Sequence, residues 1–177
     1  MKESAFAYYG FLLAIIITGC SKSDPVQMVK SGTLEVDKSV TVGNALDGYK
    51  YFADKKWTSF EDDQKRTIVQ FEATFAQEKY VNLKVEDYEI VTAEKLQKDK
   101  AEIPDLACKF VVQFNVSADG KSFDLGAVAS KVTGTDIKTG KSFDQDAPGD
   151  ASKDFLSIYQ NQPAASVALV LLNAESE

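Results

Sequence analysis

Chemistry needs nucleophiles, bases or metal ligands, and this chain offers few of them. It contains no histidine and two cysteines, Cys20 and Cys108. Without imidazole, neither a Ser-His-Asp nor a Cys-His relay can form within the chain, and no His-ligated metal is available. Two cysteines cannot complete a four-ligand zinc site. Acids are more numerous. Glu61, Asp62 and Asp63 are consecutive, and Asp144, Asp146 and Asp150 cluster in DQDAPGD. Glycoside hydrolysis needs two carboxyls facing each other across about 5–9 Å. Adjacent acids in a turn do not provide that, so 61–63 reads as a solvated loop between strands. An EF-hand counted from Asp144 needs an oxygen ligand at its fifth position and Glu at its twelfth. Those positions hold Pro148 and Phe155. A polar loop with a helix-capping Asp is the simpler reading, with a looser calcium site as the alternative. GTDIKTGKS, residues 134–142, imitates a phosphate loop, but five residues separate its glycines where the pattern has four. No helix is expected after it, so aligned N–H donors are missing. The expectation is no catalytic residue, no metal and no cofactor.

Cys20 has a different context. Residues 5–17, AFAYYGFLLAIII, are almost wholly apolar. That run is shorter than the roughly 20 residues of a membrane-spanning helix and fits the apolar region of a secretory signal peptide. Ile17-Thr18-Gly19-Cys20 then resembles the lipobox of bacterial lipoproteins. The resemblance implies cleavage before Cys20, diacylglyceryl transfer to its sulfur and, in many bacteria, acylation of the new amino terminus by a chain such as palmitate. Two features depart from the pattern: Ile17 stands where Leu is favoured, and Lys2 is offset by Glu3. An uncleaved anchor, or a buried helix with an incidental Cys, is the alternative. Each buried methylene of a lipid contributes about 0.8 kcal/mol, and two or three chains hold a protein stably. Ser21 follows where inner-membrane lipoproteins of two-membraned bacteria carry Asp. The implied address is the cell envelope, at the outer membrane facing the periplasm or the surface in a Gram-negative host. The expected organisation is a signal peptide over 1–19, the lipidated Cys20 with a flexible linker over 20–29, and one domain over 30–177.

Composition limits the partners. The chain has 177 residues, 44% of them hydrophobic, with 11 Phe, 7 Tyr and one Trp to fill a core. Its net charge is −7, and Arg66 is the single arginine. Nucleic-acid binders concentrate cations on one face, whereas here the lysines are interspersed with acids, so no nucleic acid is expected. The expected contacts are the membrane, through the lipid, and a protein partner in the envelope.

The elements follow from hydrophobic period. Thr41 can cap a helix carrying Val42, Leu46, Tyr49 and Ala53 at helical spacing, with Ala45 and Phe52 widening the stripe. GTLEVD before it reads as a short strand. Trp57 and Phe60 fall where the sheet should begin. RTIVQFEATF alternates, with Val69, Phe71, Ala73 and Phe75 on one side, as a half-buried antiparallel strand does. KYVNLKVEDYEIV reads as another strand through Val81, Leu83 and Val85. A polar helix is expected over 92–100, closed by Pro104. Cys108, Phe110, Val112, Phe114 and Val116 then share a strand face, which places the Cys108 thiol in apolar surroundings rather than in a reactive site. Asp119-Gly120 and Thr139-Gly140 mark turns. A helix starting near Asp150 or Ser152 should turn Phe155, Leu156, Ile158 and Tyr159 inward and end at Pro163. AASVALVLL, 164–172, is a buried strand or a docked helix; period does not separate them in so short a run. NAESE is a solvent tail. The fold class is α+β, an antiparallel sheet of about four to six strands with helices on one face.

The run Thr41–Phe75 resembles a module of uncharacterised secreted and lipid-anchored bacterial proteins. Its carriers are Thr41-Val42-Gly43, Trp57 to Phe60 and Val69 to Phe71, and KFVVQFNVSADGKSFDL is similar to its second hairpin. The stretch Tyr80–Leu106 is longer than the module requires. A helix with a four-stranded sheet also resembles β-lactamase-inhibitor-like domains. These resemblances imply a non-enzymatic binding or accessory role. An inhibitor of a secreted or envelope enzyme is the alternative and would display an exposed aromatic patch. A His-independent hydrolase is the third reading and would need a deep pocket with two facing carboxylates. Among the aromatics Tyr49, Tyr51, Phe52 and Trp57, core packing is the simpler role, and Tyr51 is the best candidate for exposure.

Overall fold

A computed structural model of the protein describes residues 24–173. Five antiparallel strands form an open meander in the order β1-β2-β3-β4-β5: Phe52–Glu61, Thr67–Phe75, Ala107–Val116, Phe123–Asp136 and Lys141–Asp146. Five helices complete an α+β fold: α1 Pro25–Ser31, α2 Val42–Gly48, α3 Ala93–Glu102, α4 Ala151–Tyr159 and α5 Ala165–Asn173.

The sheet forms because its strands carry a period-two pattern. In β2, Val69, Phe71, Ala73 and Phe75 are all buried; in β3, Cys108, Phe110, Val112 and Phe114 are. These rows lie on one face, and Phe71 pairs with Val112 and Ala73 with Phe110 across the ladder. Burying a Phe or Val side chain of this kind contributes about 1.5–3 kcal/mol. Leu46, Phe155, Ile158, Val167 and Leu171 from the helices join the same apolar cluster. The ring of Phe155 in α4 stacks on Phe110 of β3, centroids 6.4 Å apart.

Polar turns close the hairpins. Asp62 accepts hydrogen bonds from the backbone N–H groups of Gln64 and Arg66, each at 2.9 Å, and ties off β1–β2. Gly120, at φ 67°, sits in the β3–β4 turn, and Asp136 accepts from Lys138 and Thr139 N–H at the β4–β5 turn. Thr41 caps α2 by accepting from Asn44 N–H, Thr92 caps α3 in the same way, and Asp150 caps α4.

Several expectations are corrected. The expected flexible linker over 20–29 is helical from Pro25 onward, and Val29 is fully buried in the core. The proline that reads as an interruption is the first residue of α1, where its fixed φ favours the helix, behind the capping Asp24. The part of the linker before Asp24 lies outside the described residues, as do Cys20, the leader and the tail after Asn173. The stripe expected to run to Ala53 stops at Gly48; Phe52 and Ala53 belong to β1. GTLEVD forms a turn held by one Leu34–Asp37 bridge instead of a strand. No strand forms over 81–85. Asn82 and Glu86 have φ of 59° and 49°, which breaks the pleat, and Asn82 N–H closes the loop on Val91 C=O. The loop expected from Asp144 is strand β5 as far as Asp146. Leu156 points outward, at 43% exposure. Tyr51 is buried, not exposed, and packs on Tyr80 at 5.4 Å. The run over 164–172 is helical: α5 buries Ser166, Val167, Ala168, Val170 and Leu171 on nearly all sides.

Candidate binding groove

Six large hydrophobic side chains are exposed among the described residues: Val36, Phe60, Ile90, Leu125, Ile137 and Leu156. Three of them, Val36, Leu125 and Leu156, line one groove of about 480 Å³. Its walls come from the Thr33–Val36 turn, from the start of β4 at Phe123–Leu125, and from Ser152, Phe155 and Leu156 of α4.

Each wall has a local cause. The Leu34–Asp37 bridge closes the turn, and the Asp37 side chain accepts from both the N–H and the hydroxyl of Ser39. Those two bonds hold the Asp37 carboxyl below the usual carboxylate range. On β4, the register slips between Val112–Val128 and Phe114–Leu125. The slip is a β-bulge, with one more residue on β4 than on β3. It pairs Leu125 with the buried Phe114 and leaves Leu125 41% exposed. In α4, successive residues are about 100° apart, so burying Phe155 and Ile158 leaves Leu156 facing outward. Phe123 extends the apolar surface. Its ring meets Phe114 edge-on at 5.7 Å and lies against Gly32, where an added Cβ would sit 2.3 Å from the ring.

Glu35 and Asp124 border the groove, but Asp124 alternates with Phe123 and Leu125 on β4 and so belongs to the opposite face of the sheet. Lys38 pairs with Glu35 at 2.9 Å outside the lining, where both side chains are largely exposed and the pair contributes little. Such a surface can bury apolar side chains of a ligand or partner; contiguous exposed apolar patches on soluble domains mark interaction sites.

The other sequence candidates are scattered. Cys108 is 2% exposed, and its thiol lies 3.8 Å from Gln77 Nε2. Burial pushes the thiol up to about 12, so it stays neutral and unreactive at physiological pH. Glu61 ends β1, and Asp62 is occupied with Arg66 in the following turn. Hydrogen bonds from Arg66 hold the Asp62 carboxyl below its ordinary value. Asp144 pairs with Lys131 at 3.1 Å on β5, and Asp150 spends its carboxylate on Ser152 N–H. Among the described residues no group of three or more His, Cys, Asp or Glu could hold a metal ion. The phosphate-loop mimic is the end of β4, a turn at Gly140 and β5. Tyr49 and Phe52 pack together in the core, and the half-buried Trp57 reaches Phe52 only through Phe71; Phe60, at 43%, is the one exposed aromatic among the described residues.

Sequence reasoning missed the groove. Val36 and Leu125 sit in short polar contexts without a run to announce them, and Leu156 reads as core by type. No described helix is long and apolar enough to cross a membrane. No protein-family model matches the chain, and no curated protein or solved structure does either, so the resemblance of Thr41–Phe75 to a lipid-anchored module rests on its residues alone.

Proposed function

We propose that this chain is a lipid-anchored cell-envelope protein that works as a non-enzymatic binding module. Cys20 is its attachment point, and an envelope protein is its partner. The observation that carries the reading is the gathering of Val36, Leu125 and Leu156 around one groove. The Ile17–Cys20 motif supplies the anchor. Five residue steps separate Cys20 from Pro25, a reach of at most about 18 Å. The domain therefore works close to the membrane, where an anchored partner is met at high local concentration.

Two measurements test this. Metabolic labelling with a palmitate analogue should mark the wild-type chain and not Cys20→Ala; equal labelling of both defeats the anchor. A photo-crosslinking residue at position 156 should capture a specific envelope protein in living cells. The same residue at exposed Ala127, which is not part of the groove, should not. Equal capture from both positions defeats the groove as the binding face.

A further inference from the structure

We propose that the loop 33–40 is a hinged lid, which lifts off α4 as one unit and joins the hollows along its path into a single trough. The lid stands whether or not the groove proves to be the binding face. The loop leaves and re-enters the fold at one point: Val42 N–H donates to Gly32 C=O at 2.9 Å and closes its base. Val29 and Val42, on either side, are fully buried, whereas no residue from 33 to 40 is. Among the described residues, the polar contacts of 33–40 stay within the loop. They are the Leu34–Asp37 bridge, the two bonds from Ser39 to Asp37 and the Lys38–Glu35 pair. Leu34 is the one hydrophobic residue of the loop that packs against the core cluster. A compact loop tied to itself, and held to the body by few apolar contacts, opens at lower free energy than the whole domain.

The contacts beneath the loop favour the same motion. Residues 33–36 wall the groove of about 480 Å³ together with Ser152, Phe155 and Leu156 of α4. Val40 walls a second hollow of about 190 Å³ with Ile158 and Tyr159, further along the same helix. The Tyr159 hydroxyl is buried and has no hydrogen-bond partner among the described residues. Burial, and after it the charge of Asp37, push this hydroxyl above its ordinary value, which places it on the side of the loop. A buried donor left without a partner raises the energy of the closed state. Lifting the loop wets the hydroxyl and removes that penalty, so the open state lies closer to the closed one than packing alone would set. Tyr159 thus biases the loop towards opening, and Leu34 holds it shut.

The test follows two thiols in one molecule. Ile158→Cys in the Cys20→Ala chain puts a thiol in the second hollow, and the native Cys108, in the core cluster, is the internal reference. Both are alkylated with iodoacetamide in water and in rising urea, and peptide mass spectrometry gives each rate relative to the unfolded chain. The thiol at 158 should react roughly tenfold or more faster than Cys108. Its rate should depend little on urea, because lifting a loop exposes little surface. Leu34→Ala should speed it severalfold, and Tyr159→Phe should slow it roughly fivefold or more while raising the urea midpoint. Equal rates at both positions, rising together with urea, would mean that the hollow opens only by global unfolding and would overturn the lid. A fast rate indifferent to Leu34→Ala and Tyr159→Phe would mean that position 158 is exposed without any opening, with the same consequence. A lower urea midpoint in Tyr159→Phe would show that the hydroxyl is already satisfied in the closed state, and that too overturns the inference. If Ile158→Cys does not fold, Ala45→Cys places a thiol in the same hollow from α2, and the same outcomes decide.

Discussion

Ser130 Oγ donates a 2.6 Å hydrogen bond to Asp154 Oδ2, and the two residues are 5% and 1% exposed. The other carboxylate oxygen of Asp154 accepts from Ser166 N–H at 3.2 Å, in the first turn of α5. One buried carboxylate thus joins β4, α4 and the start of α5. An acceptor at that end also meets the positive pole of the helix. Asp154→Ala orphans two buried donors, each at a cost of about 1–3 kcal/mol, so stability should fall by about 2–6 kcal/mol. Asp154→Asn keeps an acceptor and should lose less. Urea midpoints at constant m-value measure both. A change below about 0.5 kcal/mol for Asp154→Ala would show that the tie is dispensable.

The sheet was readable in the sequence for a physical reason that Asp154 does not share. In β2 and β3 the burial rule and the period-two rule act on the same residues, so Val69, Phe71, Phe110 and Phe114 report both at once. The caps Thr41 and Asp150 were readable because each stands before apolar residues at helical spacing, whereas Thr92, before the polar α3, reads as part of the helix it caps. Loop 81–91 misled because Val81, Leu83 and Val85 alternate while Asn82 and Glu86 take left-handed backbone. A buried acid has no local signature at all. Asp154 is one polar letter in α4, and its partners lie 24 and 12 residues away. The groove escaped notice for the same reason: its three exposed large hydrophobic residues are Val36, Leu125 and Leu156, and only tertiary structure brings them together.

Cys108 gives a pH prediction with a definite sign. Burial raises its pKa from 9.0 to about 12, so the folded state binds the thiol proton more tightly than the unfolded state does. The associated stability is fully present below about pH 9 and is lost as the pH rises from there through about 12. Burial raises Tyr49 and Tyr80 as well and steepens the loss at higher pH. Unfolding free energy should therefore fall from pH 9 upward, less steeply in Cys108→Ala, with the difference read from urea titrations at each pH. At pH 8 the Cys20→Ala chain should yield no titratable thiol when native and one when unfolded. A native-state thiol would contradict the burial of Cys108.

Gly32 and Phe123 make a contact that tolerates no extra atom. A Cβ at Gly32 would fall 2.3 Å from Phe123 Cε1 and 2.7 Å from Cζ. The ring cannot retreat freely, because Phe114 holds it edge-on from within. Gly32→Ala should cost about 1–3 kcal/mol through overpacking, although its φ of −81° suits alanine. Adding Phe123→Leu to Gly32→Ala should recover part of that loss, so the two changes should be non-additive in a double-mutant cycle. Strict additivity would place the cost elsewhere.

Trp57 offers a built-in reporter of how α1 and α2 sit on the sheet. Its indole N–H donates to Asp47 Oδ1 at 2.9 Å, while Asp47 Oδ2 pairs with Lys30 at 2.7 Å. The Lys30 ammonium also stands 5.4 Å from the Trp57 ring centroid. Asp47 of α2 thus links β1 to α1 through a tryptophan that is the only one in the chain. Lys30 and Asp47 are partly exposed, so their ion pair adds little, and the indole bond contributes the larger part. Asp47→Ala should cost about 1–2 kcal/mol and move the tryptophan emission to longer wavelength, as water replaces the carboxylate at the indole. Asp47→Asn retains an acceptor for the indole and should leave the emission nearer to wild type. Lys30→Met removes the cation but keeps an apolar stem against the ring, so it should alter stability by under about 1 kcal/mol. If Asp47→Ala leaves both emission and stability unchanged, α2 is held by its buried Val42, Ala45 and Leu46 alone.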